Sequence, residues 1–525
     1  MLALNEKGLQ NRAEWESKGY TLPAFDRAAM ITNTRKAPVW IHFGAGNIFR
    51  AFQCNAVQRM LNAGQMEAGI IAVEGFDYEI VEKGYRNNDN YSLLMTLKSD
   101  GTVEKTVIGS IAESCILDRE NAAEYGRLQE IFANPSLQMA SFTITEKGYA
   151  ITPAVEADFA NGPGKPESYI GKVASLLYAR YQAGGAPIAM VSMDNCSHNG
   201  DKLKAAIAAF ANGWQDAGFL AYVNSGKVSF PWTMIDKITP RPDASVEALL
   251  RQDGLAGLDP IVTARHTYIA PFVNAEESEY LVIEDDFPNG RPALEKAGFI
   301  FTDRDTVNRV ERMKVCTCLN PLHTALAVTG CLLGYTRISD EMKDADLVAL
   351  IRKIGYAEGL PVVTDPGVIR PREFIDTVVN VRLPNPFMPD TPQRIACDTS
   401  QKIPIRFGET IKCYMADPAR DASSLEAIPL ALAAWLRYLL GVNDQGAPME
   451  VSPDPLLPEL QAALAGIALG DPASAEGKLD ALLARADLFG VSLVDAGLAD
   501  KVKALFAQML AGPGAVRETM KKHLA

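Results

Sequence analysis

The stretch "APVWIHFGAGNIFRAFQCNAVQRMLNAG", residues 37–64, constrains the fold of this chain more than any other. Val39 to Phe43 is rich in β-forming residues, and Gly44 and Gly46 break the strand. Phe49, Phe52, Val57 and Leu61 then recur at helical spacing up to a stop at Gly64. A strand, a glycine turn and a helix in that order form the first part of a βαβ unit, which needs parallel partner strands. "AGIIAVEGFD" supplies one, ending in the acids Glu74 and Asp77, and "SLQMASFTITEKGYAI" and "GAPIAMVSMDNCSHNG" read as two more with polar clusters at their ends. Strands alternating with helices predict an α/β fold built on a parallel sheet.

At 525 residues the chain is too long for one simple core. From about Thr306 the text turns helical, as in "SLEAIPLALAAWLRYLLGV" and "LADKVKALFAQMLAG", with Ala and Leu dominant. The boundary is placed after "EDDFPNGRPALEKAGFIFTD", giving an α/β domain over 1–302 and a mainly helical domain over 303–525. A net charge of −13 argues against a general nucleic-acid binder. No apolar run approaches the ~20 residues of a membrane span. The eight cysteines are scattered without a CxxC pair, which together with the lack of a signal peptide predicts reduced thiols and a cytoplasmic protein.

The glycine turn predicts a dinucleotide site. Gly44 and Gly46 let backbone N–H groups approach a pyrophosphate at the N-terminus of the helix that opens with Asn47. Phe49 stands where a third glycine is expected, and Arg50 is within reach of a phosphate oxygen, although it also reads as a solvent-facing helix residue. Glu74 and Asp77 at the end of the next strand would accept from ribose hydroxyls and repel a 2′-phosphate, favouring NAD over NADP.

"KVCTCLNPLHTAL", residues 314–326, sets Lys314, Asn320 and His323 among small, apolar and thiol residues. Beside a nicotinamide cofactor, oxidation of an alcohol needs a group to remove the hydroxyl proton. Zinc has little support, because the five histidines include no HxxxH pair. Lys314 is the candidate base, and Asn320 and Asn195 are candidate donors to the developing oxyanion. Read by spacing alone, Lys314 is better taken as a helix residue that snorkels or is salt-bridged to Glu311 and His323 as a satisfied core histidine, while Asn320 also reads as a turn or cap residue ahead of Pro321.

Taken together, the blocks resemble the polyol-specific long-chain dehydrogenases, the mannitol dehydrogenase family. The resemblance runs from about Leu22 to Lys402 through "IHFGAGNIFRAF", "TITEKGY", "SMDNCSHNG", "FPWTMIDKITP", "VIEDDFPNGRP" and "RIACDTSQK". It implies a Rossmann-type N-terminal domain, a helical C-terminal domain and zinc-independent catalysis. It further implies Lys314 as base, Asn320 and Asn195 as oxyanion donors, His323 as a substrate ligand, Arg394 and Lys402 lining the substrate pocket, and Asp236 near the substrate. The family motif is Lys-x4-Asn-x2-His, whereas this chain has Lys-x5-Asn. On a regular helix the extra residue turns the lysine by about 100°. A π-bulge would absorb it, a turn ahead of the helix would bypass it, or the base has changed; Pro321, suited to a first helical turn, favours a break in regularity. "KVCTCLNPLHTALAV" looks closer to the hexuronate reductases of the family than to its mannitol 2-dehydrogenases. The expected reaction is therefore NAD-linked reduction of D-fructuronate to D-mannonate, with oxidation of mannitol or arabinitol as the alternative and a non-catalytic sugar or nucleotide sensor third. The expected partner is a small sugar acid or polyol, with no nucleic acid and no membrane, and the protein a monomer or weak homo-oligomer.

Overall fold

The structure is a computed structural model that describes residues 1–241, 244–259 and 261–524. The chain forms two compact units, one of Met1–Lys98 with Thr102–Asn308 and one of Ser99–Gly101 with Arg309–Ala525.

The first unit is built on six strands, β1 (Trp40–Phe43), β2 (Ile70–Glu74), β3 (Ile111–Ile116), β4 (Met139–Phe142), β5 (Ile188–Ser192) and β6 (Val228–Ser229). Every pairing is parallel, in the order β3-β2-β1-β4-β5-β6. That is the doubly wound order of a Rossmann fold, whose topological switch lies between β1 and β4. The strands are near-continuous apolar runs because both faces are covered. Ile41, Phe43, Ile71, Val73, Ala140 and Phe142 enter one core layer. Trp40, Ile70, Ala72, Met139, Ala189 and Val191 enter the other. The predicted helix after the glycine turn is present, but its first full turn, Phe49–Gln53, is π-helical before regular α-helix resumes over Cys54–Asn62.

Smaller elements surround this sheet. Thr233–Asp236, Tyr280–Glu284 and Ile300–Thr302 form a three-stranded sheet, and Ile261–Val262 pairs with Tyr268–Ile269 as a short hairpin. Residues 1–36 form helices Glu6–Leu9, Arg12–Ser17 and Arg27–Lys36, with Trp15 fully buried.

The second unit is helical. All of Ala427–Tyr438 is buried, and this helix packs on Asn320–Leu333 and Ala499–Met509. Its N-terminus is capped from a distance: the Glu358 carboxylate accepts from the backbone N–H groups of Glu426, Ala427 and Ile428 at 2.6, 2.7 and 2.8 Å. A negative charge there satisfies orphan donors and complements the helix dipole. One helical stretch, Arg304–Leu333, has the length and apolarity of a membrane span, but 78% of its most apolar window is buried in the protein, as in a core helix.

Candidate active site

The glycine turn sits at the C-terminal ends of β1 and β4. Gly44 has φ of +107°, and a Cβ there would fall 2.2 Å from the Thr143 carbonyl oxygen just past β4. Only glycine permits that close passage. At Gly46 a Cβ would meet nothing within 4 Å, so the backbone of the turn faces open space. The turn is braced from below: the Ala45 N–H donates to Glu74 Oε2 at 3.1 Å, and the Tyr85 hydroxyl donates to the Ala45 carbonyl at 2.8 Å. Across the switch point, His42 contacts Ser141 Oγ at 2.6 Å and Thr143 Oγ1 at 2.9 Å. Burial pushes its pKa down to about 3.

Four predicted cofactor contacts have other work in this unit. Phe49 is fully buried and stacks on His42 with centroids 4.4 Å apart, so its side chain belongs to the core. Arg50 is 7% exposed. It donates to the Ala270 carbonyl at 2.9 Å and Asn47 Oδ1 at 2.8 Å, tying the turn to the strand Phe272–Glu276 rather than projecting to a phosphate. Glu74 Oε1 accepts from the N–H groups of Gly75, Phe76 and Asp77 at 3.0, 2.7 and 3.2 Å. Burial raises its pKa and those N–H groups oppose the rise. Asp77 Oδ2 accepts from Thr263 Oγ1 at 2.6 Å. The two acids thus hold the loop after β2 and the hairpin together. Gly44, Gly46 and Asn47 remain at the turn itself.

Asn195 lies exposed in the loop after β5, beside a buried organiser that the sequence reading missed. Asp194 accepts from the Ile144 and Thr145 N–H groups at 3.0 and 2.8 Å and from the Tyr149 hydroxyl at 2.5 Å, fastening the loops after β4 and β5 to each other. Asp236 closes its strand and is 6% exposed.

In the second unit the extra residue of Lys-x5-Asn has a structural answer. Lys314–Cys318 is a π-helical turn between Arg304–Met313 and Asn320–Leu333. The Leu319 N–H donates to the Lys314 carbonyl at 3.1 Å, a bond five residues long. A π turn takes in one more residue without advancing the helix by an α-helical step. Pro321, which lacks an N–H, falls in the first turn of the resumed helix, where none is needed. Lys314 is 6% exposed, and Asn320 and His323 are partly exposed on the next turns.

His323 Nε2 lies 3.6 Å from Asp390 Oδ2, with no hydrogen-bond partner. Its pKa is pushed down to about 4, by burial first and then by Arg406, Arg382 and Arg394, against the pull of Asp390. That shift favours the neutral imidazole. Arg394 is mostly exposed and ion-paired with Asp390, one helical turn away. Lys402 donates to the carbonyls of Ile395, at 3.0 Å, and of Cys397, which ties its ammonium to the end of the helix Pro392–Ile395; burial and Arg406 lower its pKa. Arg406, not singled out from the sequence, follows Lys402 by one turn of Thr399–Arg406. Its Nη1 donates to Thr324 Oγ1 at 2.5 Å and to the Asn320 carbonyl at 3.4 Å. Burial lowers its pKa to about 10, and among the described residues no carboxylate lies within ion-pair distance of it. A partly buried guanidinium without an acid partner favours an anion. This unit therefore assembles an ammonium, a carboxamide, a neutral imidazole and an excess of guanidinium.

Comparison with known proteins gives this arrangement its context. The Mannitol dehydrogenase Rossmann domain matches residues 39–296, and the Mannitol dehydrogenase C-terminal domain matches residues 306–510. A D-mannonate oxidoreductase of Thermotoga maritima is 49% identical, over 99% of each chain. The solved ternary complex of Pseudomonas fluorescens mannitol 2-dehydrogenase with NAD and D-mannitol is 27% identical, covers 99% of each chain and superposes with a TM-score of 0.69. A D-sorbitol dehydrogenase in substrate-free form is 26% identical, with a TM-score of 0.79 over 98% of this chain and 100% of that one. Two domain matches spanning most of the chain, and a relative of 49% identity from end to end, make this protein an oxidoreductase of the mannitol dehydrogenase family.

Proposed function

We propose that this protein reduces a keto-hexuronate to a hexonate, D-fructuronate to D-mannonate, with NADH and without a metal. The observation that carries the substrate is the 49% identity to a D-mannonate oxidoreductase across both whole chains. The unpaired guanidinium of Arg406 beside His323 and Arg394 supports it, since a hexuronate differs from a ketose in bringing a carboxylate.

The turn Gly44–Asn47 suits the pyrophosphate of NAD: it lies at the switch point, its backbone is open at Gly46, and a helix begins at Asn47. When bound, NADH supplies the hydride for the carbonyl carbon. The chain's own groups handle the oxygen. Lys314 delivers a proton to the carbonyl oxygen in reduction and takes it from the alcohol in oxidation. The carboxamides of Asn320 and Asn195 donate to that oxygen while negative charge develops on it. His323, neutral at working pH, hydrogen-bonds a substrate hydroxyl. Arg406 and Arg394 hold the carboxylate. A protonated lysine with two amide donors supplies what a zinc ion supplies in other alcohol dehydrogenases, so the reaction needs no metal.

The test is NADH oxidation by D-fructuronate before and after prolonged chelation. Undiminished turnover with no stoichiometric metal is expected. Absence of turnover with D-fructuronate overturns the substrate, and activity lost on chelation and restored by zinc alone overturns the metal-free mechanism.

A further inference from the structure

The C-terminal end of β2 is where a Rossmann fold meets the adenosine ribose of its dinucleotide. Here that end has an unusual composition. Its two acids are committed, Glu74 to four backbone N–H groups and Asp77 to Thr263. Between them Phe76 projects outward, 62% exposed, among the most exposed large apolar side chains of the molecule. Over its ring lies the guanidinium of Arg265, 4.7 Å from the centroid.

The placement of Arg265 is built. It comes from the turn of the hairpin Ile261–Val262/Tyr268–Ile269. Thr263 Oγ1, while donating to Asp77, accepts from the Arg265 and Thr267 N–H groups at 3.2 and 3.0 Å. One hydroxyl thus fixes the hairpin turn onto the β2 loop. The guanidinium is exposed, and among the described residues no carboxylate pairs with it at ion-pair distance. The acids Asp118, Glu120 and Glu74 act on Tyr78 together with Arg265, so carboxylates share this neighbourhood without pairing with the guanidinium. Arg265 covers one face of the Phe76 ring; an aromatic face left open takes a purine by stacking, and a planar guanidinium beside it takes a phosphate by paired N–H donors.

Building on the dinucleotide reading above, we propose that Phe76 and Arg265 form the adenosine-binding shelf of this enzyme, and that Arg265 pairs with a 2′-phosphate, so that NADP(H) is accepted alongside NAD(H). The acids that would repel that phosphate are turned inward, and the cation that would attract it is turned outward. Phe76 serves both dinucleotides, whereas Arg265 serves only the one with the extra phosphate.

The test is equilibrium binding of NADH and NADPH to the full chain, read by nicotinamide fluorescence without substrate, in the wild type, Arg265→Ala, Arg265→Glu and Phe76→Ala. Wild type should bind NADPH within about tenfold of NADH. Arg265→Ala should weaken NADPH about tenfold or more, the worth of one charge-assisted phosphate contact, and leave NADH within about twofold. Arg265→Glu should deepen the NADPH loss, and Phe76→Ala should weaken both dinucleotides alike. Adenosine 2′,5′-bisphosphate should displace NADH better than AMP from wild type but not from Arg265→Ala. NADPH affinity unchanged by both Arg265 variants overturns the proposal while tight NADH binding leaves the dinucleotide reading standing. Absence of NADH binding in wild type overturns both.

Discussion

Lys314→Ala should slow NADH-linked reduction about 10²- to 10⁴-fold, the range typical for loss of a general acid or base. NADH affinity should change little, because the glycine turn lies in the other compact unit. The extra residue between Lys314 and Asn320 falls in a π turn just ahead of the resumed helix. If Lys314 only tethered its helix, its loss would lower thermal stability and spare turnover measured at low temperature. Methylamine separates the two roles: partial recovery of rate that tracks amine basicity marks proton transfer at this position. A Lys314→Ala enzyme with near-normal turnover would assign the proton to another group.

The second large effect concerns stability. Glu341, in the short helix Ile338–Glu341, is fully buried, and neither carboxylate oxygen has a hydrogen-bond partner. It lies so close to the helix Asn320–Leu333 that a Cβ at Gly330 would come within 1.8 Å of its Oε1. Burial, reinforced by the charge of Asp344, raises its pKa from 4.5 to about 9. The native state therefore keeps a proton between these values that the unfolded chain releases. Stability tied to this group is fully present below pH 4.5 and is lost as pH rises towards 9. At 1.36 kcal/mol per pH unit, the loss between pH 5 and 8 is on the order of 4 kcal/mol. Glu341→Gln cannot ionise. It should match the wild type at pH 5 and exceed it by several kcal/mol at pH 8 in chemical denaturation. Parallel pH profiles for the two proteins would show that Glu341 is not the group responsible.

The parts of the site that could be read in advance are those carried by local pattern. The strand, glycine turn and helix at 39–63 announced a parallel sheet because buried parallel strands are written as unbroken apolar runs. The irregularity at 314–320 was visible as one surplus residue, and Pro321 pointed to a break, but the five-residue bond from Leu319 to Lys314 depends on packing that spacing does not encode. Phe49 looked like part of the phosphate loop because it occupies a glycine position; its partner His42 is on β1, just ahead of the turn, and the reversal of the chain at the turn brings the rings together. Glu74 and Asp77 looked available because strand-end acids usually face solvent, yet the next three N–H groups of the chain and a distant threonine claim them. Asp390 and Arg265 reach their sites from segments remote in sequence and left no signal beside the motifs they serve.

The central claim is that this family member works on a carboxylate-bearing sugar. It is tested most directly by the ratio of kcat/KM for D-fructuronate to that for D-fructose, both measured with saturating NADH. A carboxylate held by Arg406 and Arg394 should favour D-fructuronate by at least about tenfold, and by about a hundredfold if both charge-assisted contacts form. D-fructose reduced as well as or better than D-fructuronate would contradict the account and return the protein to the polyol branch of its family.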